Sequence, residues 1–126
     1  MNTRERKGFF KGFQYAGEGL LYAIRTQRNF RLHLLAAVAV MAAGYWLELS
    51  PASCAVLALT IGAMLVAEIV NTAIETLVDW VSPDYHPLAK CVKDLSAGAV
   101  LLMAITSVVV GLILLGPPLL LRLGWG

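Results

Sequence analysis

Charge is what this chain lacks most. Asp, Glu, Lys and Arg make up 14% of its 126 residues, hydrophobic residues 59%, and the mean hydropathy is +0.73. A soluble globule this small keeps too much of its area exposed to hide so much apolar surface. Lipid must therefore be the solvent for part of it. Cysteine is almost as scarce: Cys54 and Cys91 show neither C-x-x-C nor metal-like spacing, which predicts two free thiols and no structural disulfide. There is no P-loop G-x-x-x-x-G-K-[ST] and no kinase-type Gly-rich loop, so any nucleotide must be held by other means. The first twenty residues offer neither a long apolar stretch nor a small-residue cleavage site, and no secretory signal is expected. Internal repeats and low-complexity segments are also missing. The length suits one domain, 1–126, and no nucleic-acid partner is expected.

What the chain does have is three apolar stretches, predicted as spans over about 32–49, 52–79 and 95–116 because each approaches the 20 or so residues that cross a hydrocarbon core. Tyr45 and Trp46 close the first, where interfacial aromatics belong. The third is expected to end at Pro117-Pro118. An amphipathic surface helix is predicted over about 6–28: Phe10, Phe13, Gly17, Leu20, Leu21 and Ile24 recur at three- and four-residue steps, with Lys7, Lys11, Gln14, Glu18 and Arg25 mostly on other faces. Lying in the interface and docking on the bundle are both open to it. The fold class expected is all-α and membrane-embedded. Nine of the ten basic residues, Arg122 excepted, fall before residue 32 or in the 80–94 connection. That side should be cytoplasmic, with the two termini on opposite sides.

The second span ends in AEIVNTAIETLVDW. Drawn as a helix, Glu68, Asn71, Thr72, Glu75 and Asp79 share an arc about 100° wide, with Ile69, Val70, Ile74 and Leu77 opposite. A carboxylate at the bilayer centre costs about 2.5–3.5 kcal/mol, so a cation, a proton or a polar partner must compensate Glu68 and Glu75. Asp79 reads more simply as a solvated helix end. The connection that follows carries Lys93-Asp94, which return to the same interface. A lysine beside carboxylates suits a polyphosphate with its divalent ion, although an interfacial ion pair is an equally good account of those two residues alone. His86, between two prolines, reads as a solvated loop side chain. His33 is expected to snorkel or to pair with a neighbouring helix, and is given no catalytic role.

The run EIVNTAIETLVD (68–79), followed by DYHPLAKCVKDLSAGAVLL (84–102), resembles the signature of the prokaryotic diacylglycerol kinase family. GLLYAIRTQRNFRLH (19–33) and the three-span pattern extend the likeness over nearly the whole chain. The resemblance implies a homotrimeric helical bundle of small integral-membrane lipid kinases with active sites shared between subunits at the cytoplasmic interface. It implies ATP and Mg²⁺ as co-substrate and cofactor, and a membrane lipid as acceptor. Carried over residue by residue, it makes Glu68 the general base and Asn71 a group that positions the reactants. Glu75 becomes a metal-binding glutamate, and Lys93 and Asp94 engage the nucleotide phosphates. Asp84, Tyr85 and His86 fall at nucleotide-contacting positions, and Tyr15 at a looser one. Gln27 stands where many relatives have a second metal-binding glutamate; an amide oxygen can ligate Mg²⁺ but brings no negative charge.

The R-N-F-R-L-H and Y-H-P-L-A-K segments are similar to the Gram-positive branch, whose members resemble undecaprenol kinase. A polyprenol acceptor is therefore expected, with diacylglycerol as the alternative. A small proton-coupled transporter also accommodates Glu68, but the first connection has no polar counterpart to give access from the other side. A purely structural subunit, with the seam as a trimer contact, is the remaining alternative.

Overall fold

Arg31 marks the first corner of the chain. In the computed structural model, which describes the backbone of residues 3–126 and the side-chain surroundings of Arg6 and residues 8–126, α1 spans Thr3–Thr26 and α2 spans Arg28–Trp46. The last carbonyls of a helix lack intrahelical partners. Here the Arg31 guanidinium donates to Ile24 O at 2.9 Å and Arg25 O at 3.2 Å, so the first turn of α2 caps the end of α1. Gln27 between them is extended, with φ −106° and ψ 108°. The helix expected to reach residue 28 therefore stops at Thr26. Ala23 and Phe30 are buried at this corner. The glycines of α1 do not break it, and a Cβ at Gly12, Gly17 or Gly19 would meet nothing within 4 Å. Phe9, Phe10 and Phe13 remain exposed, Phe9 packing edge-on against each of the other two. Arg4 and Lys7, counted above for topology, lie outside the described side chains.

The first apolar stretch stops short of residue 49. Leu47 is the C-cap of α2, and Glu48 turns into the left-handed region at φ 55°. The N–H of Leu49 returns to Gly44 O at 3.1 Å. A Cβ at Gly44 would stand 3.4 Å from a Leu49 methyl carbon and 3.6 Å from one of Leu57, so the turn packs closely on this residue without leaving room for a large side chain. α3 then runs from Pro51 to Val81, with the Ser50 hydroxyl accepting from the Ser53 N–H and Pro51 in the first turn, where its missing donor costs nothing.

α4 covers Pro87–Arg122 and departs from expectation at both ends. It begins eight residues before Leu95, so Lys90, Cys91, Lys93 and Asp94 lie on helix and only 82–86 connects α3 to α4. His86 supplies the cap: its Nδ1 accepts from the Leu88 N–H at 3.2 Å. At the far end the helix passes through Pro117 and Pro118. Proline forfeits a backbone donor but already holds the helical φ. The flanking leucines continue the apolar surface, and the chain leaves the helix only after Arg122, which lies over the Trp46 ring at 5.1 Å.

The helices form an antiparallel set in which α3 touches each of the others and packs most extensively on α4. Only α3 and α4 are long and apolar enough to cross a membrane by length and composition; α2 opens on Arg28, Arg31 and His33. At 1.5 Å per residue α3 is about 46 Å long, well beyond a hydrocarbon core of about 30 Å and so longer than a span requires. The buried core is thin: Ala23, Phe30, Leu47, Leu57 and Met64. Large side chains such as Leu59, Leu101 and Leu112 face outward, which fits surroundings of hydrocarbon or of another apolar face. Cys54 and Cys91 are both free thiols.

Candidate active site

The polar seam of α3 is divided among its neighbours. Glu68 turns toward α2, where His33 Nε2 lies 3.2 Å from its Oε1. It is 5% exposed and is the only buried carboxylate among the described residues. Thr72, also buried, donates its hydroxyl to the Glu68 carbonyl at 3.0 Å. This keeps the seam's one hydroxyl within α3's own backbone.

Asn71 and Glu75 turn toward α4. The Ser96 hydroxyl donates to Asn71 Oδ1 at 2.7 Å, and Asn71 Nδ2 donates to Glu75 Oε1 at 3.3 Å. The serine thus fixes which end of the amide faces the glutamate. Two turns later Asp79 pairs with Lys93, while Asp94 pairs with Lys90 one turn back on α4. Lys93 and Asp94 are therefore each committed to a different partner, not to one another. The Lys93 ammonium is held above its ordinary value, first by the hydrogen bond to Asp79; desolvation opposes this, and the fields of Asp79 and Glu75 add to it. Lys90 is raised in the same direction, by its hydrogen bond to Asp94 and then by that carboxylate's charge.

Where α3 ends and α4 begins, a polar cavity of about 400 Å³ opens. Asp79, Asp84, Tyr85, His86, Lys93 and Asp94 line it, so six residues singled out in the sequence meet around one cavity. The N-terminus of α4 also faces this end of the bundle, where the helix dipole favours an anion, although Pro87 has no N–H and those of Leu88 and Lys90 are taken by His86. A second cavity, about 480 Å³ and apolar, lies between α1 and α3, lined by Gly19, Tyr22, Ile69, Thr72 and Trp80 among others. A third, about 110 Å³, touches His33 and Met64 one turn below Glu68.

Five sequence-predicted residues do not line the polar cavity: Glu68, Asn71 and Glu75 lie earlier along α3, and Tyr15 and Gln27 lie on α1 and at its end. Tyr15 projects from α1 and is exposed, and Gln27 sits at the α1–α2 break with its amide donating to Thr26 Oγ1 at 3.2 Å. Neither lines the cavity. Among the described residues no three His, Cys, Asp or Glu side chains cluster closely enough to hold an ion. Glu75 therefore offers a single carboxylate. That is a donor set suited to Mg²⁺, which is commonly held by one or two carboxylates, with substrate phosphates and water completing its shell. Sequence reasoning overlooked Ser96 and Lys90. The signal was available in register: in an antiparallel pair, if Asp79 meets Lys93, then positions one to two turns earlier on α3 meet Ser96.

Comparison with known proteins identifies the family. The profile of the prokaryotic diacylglycerol kinase family matches residues 14–115. The chain is 44% identical to undecaprenol kinase of Bacillus subtilis over 118 residues, covering 94% of this chain and 96% of that one. It is 52% identical to a diacylglycerol kinase of Synechocystis over 109 residues, 86% of this chain and 62% of that longer protein. Diacylglycerol kinase of Escherichia coli K12 is 30% identical over 114 residues, 90% of this chain and 93% of the relative.

Proposed function

Because the chain belongs to the prokaryotic diacylglycerol kinase family, we propose that this lipid kinase transfers the γ-phosphoryl group of ATP to the hydroxyl of undecaprenol. The observation that carries the reading is the graded seam of α3: a buried carboxylate, a hydrogen-bonded amide–carboxylate pair, then a polar cavity lined by Lys90 and Lys93 with three aspartates, in that order toward the helix end. Phosphoryl transfer asks little covalent chemistry of a protein; it needs positioning and charge compensation. Glu68 lies deepest and accepts the proton of the lipid hydroxyl, a role for which a desolvated carboxylate suits better than a solvated one. Asn71, its amide oriented by Ser96, holds Glu75 and the reacting groups in register. Lys93 turns its ammonium from Asp79 toward the phosphates and offsets their charge. Asp84, Tyr85, His86 and Asp94 bound the nucleotide.

Mg²⁺, when bound, neutralises the β- and γ-phosphate oxygens; Glu75 is the carboxylate that would hold it, with the Gln27 amide oxygen as second ligand. Tyr15 and Gln27 stand away from the cavity of their own chain, and outward apolar faces are extensive. Both features support a homotrimer in which one subunit's α1 completes its neighbour's site. The reading further places α2, α3 and α4 across the bacterial plasma membrane, with the N-terminus and the α3–α4 connection in the cytoplasm, where most of the basic residues lie.

Diacylglycerol is the second reading, favoured by the 52% identity to the Synechocystis protein named for it. A kinase assay offering undecaprenol and diacylglycerol side by side in mixed micelles ranks them. Glu68→Ala should still assemble and bind nucleotide while transfer to either lipid falls by orders of magnitude. Near-normal turnover in that variant removes Glu68 from the role of base.

A further inference from the structure

A base as buried as Glu68 must shed its proton before it can act again, and water has little access to it. Its side chain is 6% exposed, whereas that of His33, with Nε2 3.2 Å away, is 31% exposed. The two sit at one level of the bundle. His33 is about 7.5 Å along α2 from its start, beside Arg28 and Arg31, and Glu68 is about 20 Å short of the end of α3, whose final turns overshoot the start of α2.

We propose that His33 acts through Glu68 in phosphoryl transfer: with its neutral ring protonated at Nδ1, the Nε2 lone pair takes over the proton that Glu68 has drawn from the lipid hydroxyl. This rests on the reading of Glu68 as the base. As the alcohol oxygen bonds to the γ-phosphorus, its O–H bond breaks and the proton goes to Glu68. The bond from the γ-phosphorus to the bridging oxygen breaks, and ADP leaves with that electron pair. Glu68 passes the proton to the lone pair on Nε2 of the neutral imidazole. The resulting imidazolium faces the restored carboxylate, an attraction strengthened by the low dielectric around it, and then gives that Nε2 proton to water, which returns the ring to its Nδ1–H form.

Among the described residues, Glu68 is the one charged partner of that ring. On α3 the next carboxylate, Glu75, is two turns on and bonded to Asn71. On α4, Ser107 and Gly111 share the small cavity beside His33 and carry no charge. On α2 the Arg31 guanidinium is occupied by the Ile24 and Arg25 carbonyls of α1. Histidine is also the side chain whose charge changes between about pH 5 and 8, the range in which a relay must load and unload.

The test compares unmutated protein, His33→Gln and His33→Ala from pH 5.5 to 9, with ATP, Mg²⁺ and undecaprenol in mixed micelles. Gln keeps a hydrogen-bond donor to Glu68 but cannot carry a proton. The expected result for His33→Gln is a kcat lower by about tenfold or more, a lipid KM within twofold of normal, and loss of the rate decline on the acid side. Added imidazole should restore part of the rate to His33→Ala and none to His33→Gln, whose side chain fills the space. A His33→Gln enzyme with normal kcat and an unchanged pH profile overturns the relay. Glu68→Gln separates the two readings: turnover in that variant refutes Glu68 as base, whereas an inactive Glu68→Gln beside a fully active His33→Gln refutes the relay alone. Should His33→Ala fail to assemble, as judged by size exclusion, the His33→Gln profile decides the matter.

Discussion

Removing one hydroxyl, by Ser96→Ala, probes the link between α4 and the seam. Ser96 is 8% exposed and donates to Asn71 Oδ1 at 2.7 Å, the shortest bond between α4 and the Asn71–Glu75 pair. A hydrogen bond of this kind contributes about 0.5–1.5 kcal/mol net, and leaving a buried acceptor without a donor costs about 1–3 kcal/mol. Asn71 is half-buried, so the lower part of that range applies, and a stability loss of about 1–2 kcal/mol is expected. The catalytic effect follows from the second bond. At 3.3 Å the Asn71–Glu75 contact is already long, and an amide no longer held by Ser96 can turn its oxygen toward the carboxylate. If about half the lost energy is felt in the transition state, the rate falls roughly two- to fivefold, since about 1.4 kcal/mol is a factor of ten. The assay pairs reversible unfolding in mixed micelles with initial rates of lipid phosphorylation. Asn71→Asp provides the complement, because it keeps an acceptor for Ser96 and removes the donor to Glu75. The double variant should show a coupling of at least about 0.5 kcal/mol. Stability within about 0.3 kcal/mol of normal, an unchanged rate and additive single effects would together refute the idea that Ser96 orients the amide.

The other predictions concern the ends of the site. Gln27→Glu should lower the Mg²⁺ concentration needed for half-maximal rate, by restoring a charged second ligand; an unchanged metal titration and rate count against Gln27 as a ligand. His86→Ala should cost about 1 kcal/mol, as loss of an N-cap usually does, and lower the thermal midpoint; an unaltered midpoint means the cap is made good by water. The two lysine pairs predict an alkaline dependence. Lys90 and Lys93 are raised in the folded protein by Asp94 and Asp79, so their contribution is complete below the ordinary lysine value of 10.5 and is lost as pH climbs through the higher folded values. The unfolding midpoint should hold to about pH 10 and then fall, and Lys90→Met/Lys93→Met should blunt that fall.

Sequence periodicity was a good guide to the helices and a poor one to their ends. An apolar run announces a span, but nothing in RTQRNFR says that Arg31 will reach back to cap α1 and stop it at Thr26. Likewise, Pro117-Pro118 reads as a terminus from local chemistry alone, yet the helix continues to Arg122. The seam was legible because 68, 71, 75 and 79 fall together at helical spacing whatever surrounds them. The partners of those residues were not legible.

Composition and spacing by themselves determined that this chain needs lipid around it, that it is helical, and that α3 carries acidic groups along one face. These follow from solvent and from the 3.6-residue turn, both of which act locally. Only the tertiary structure decided that Glu68 answers to His33, Asn71 to Ser96 and Asp79 to Lys93, and that the residues of the α3–α4 connection enclose a cavity. Such pairings depend on the register of helices far apart in sequence, and that register is set by side-chain packing across whole interfaces rather than by any short run of residues.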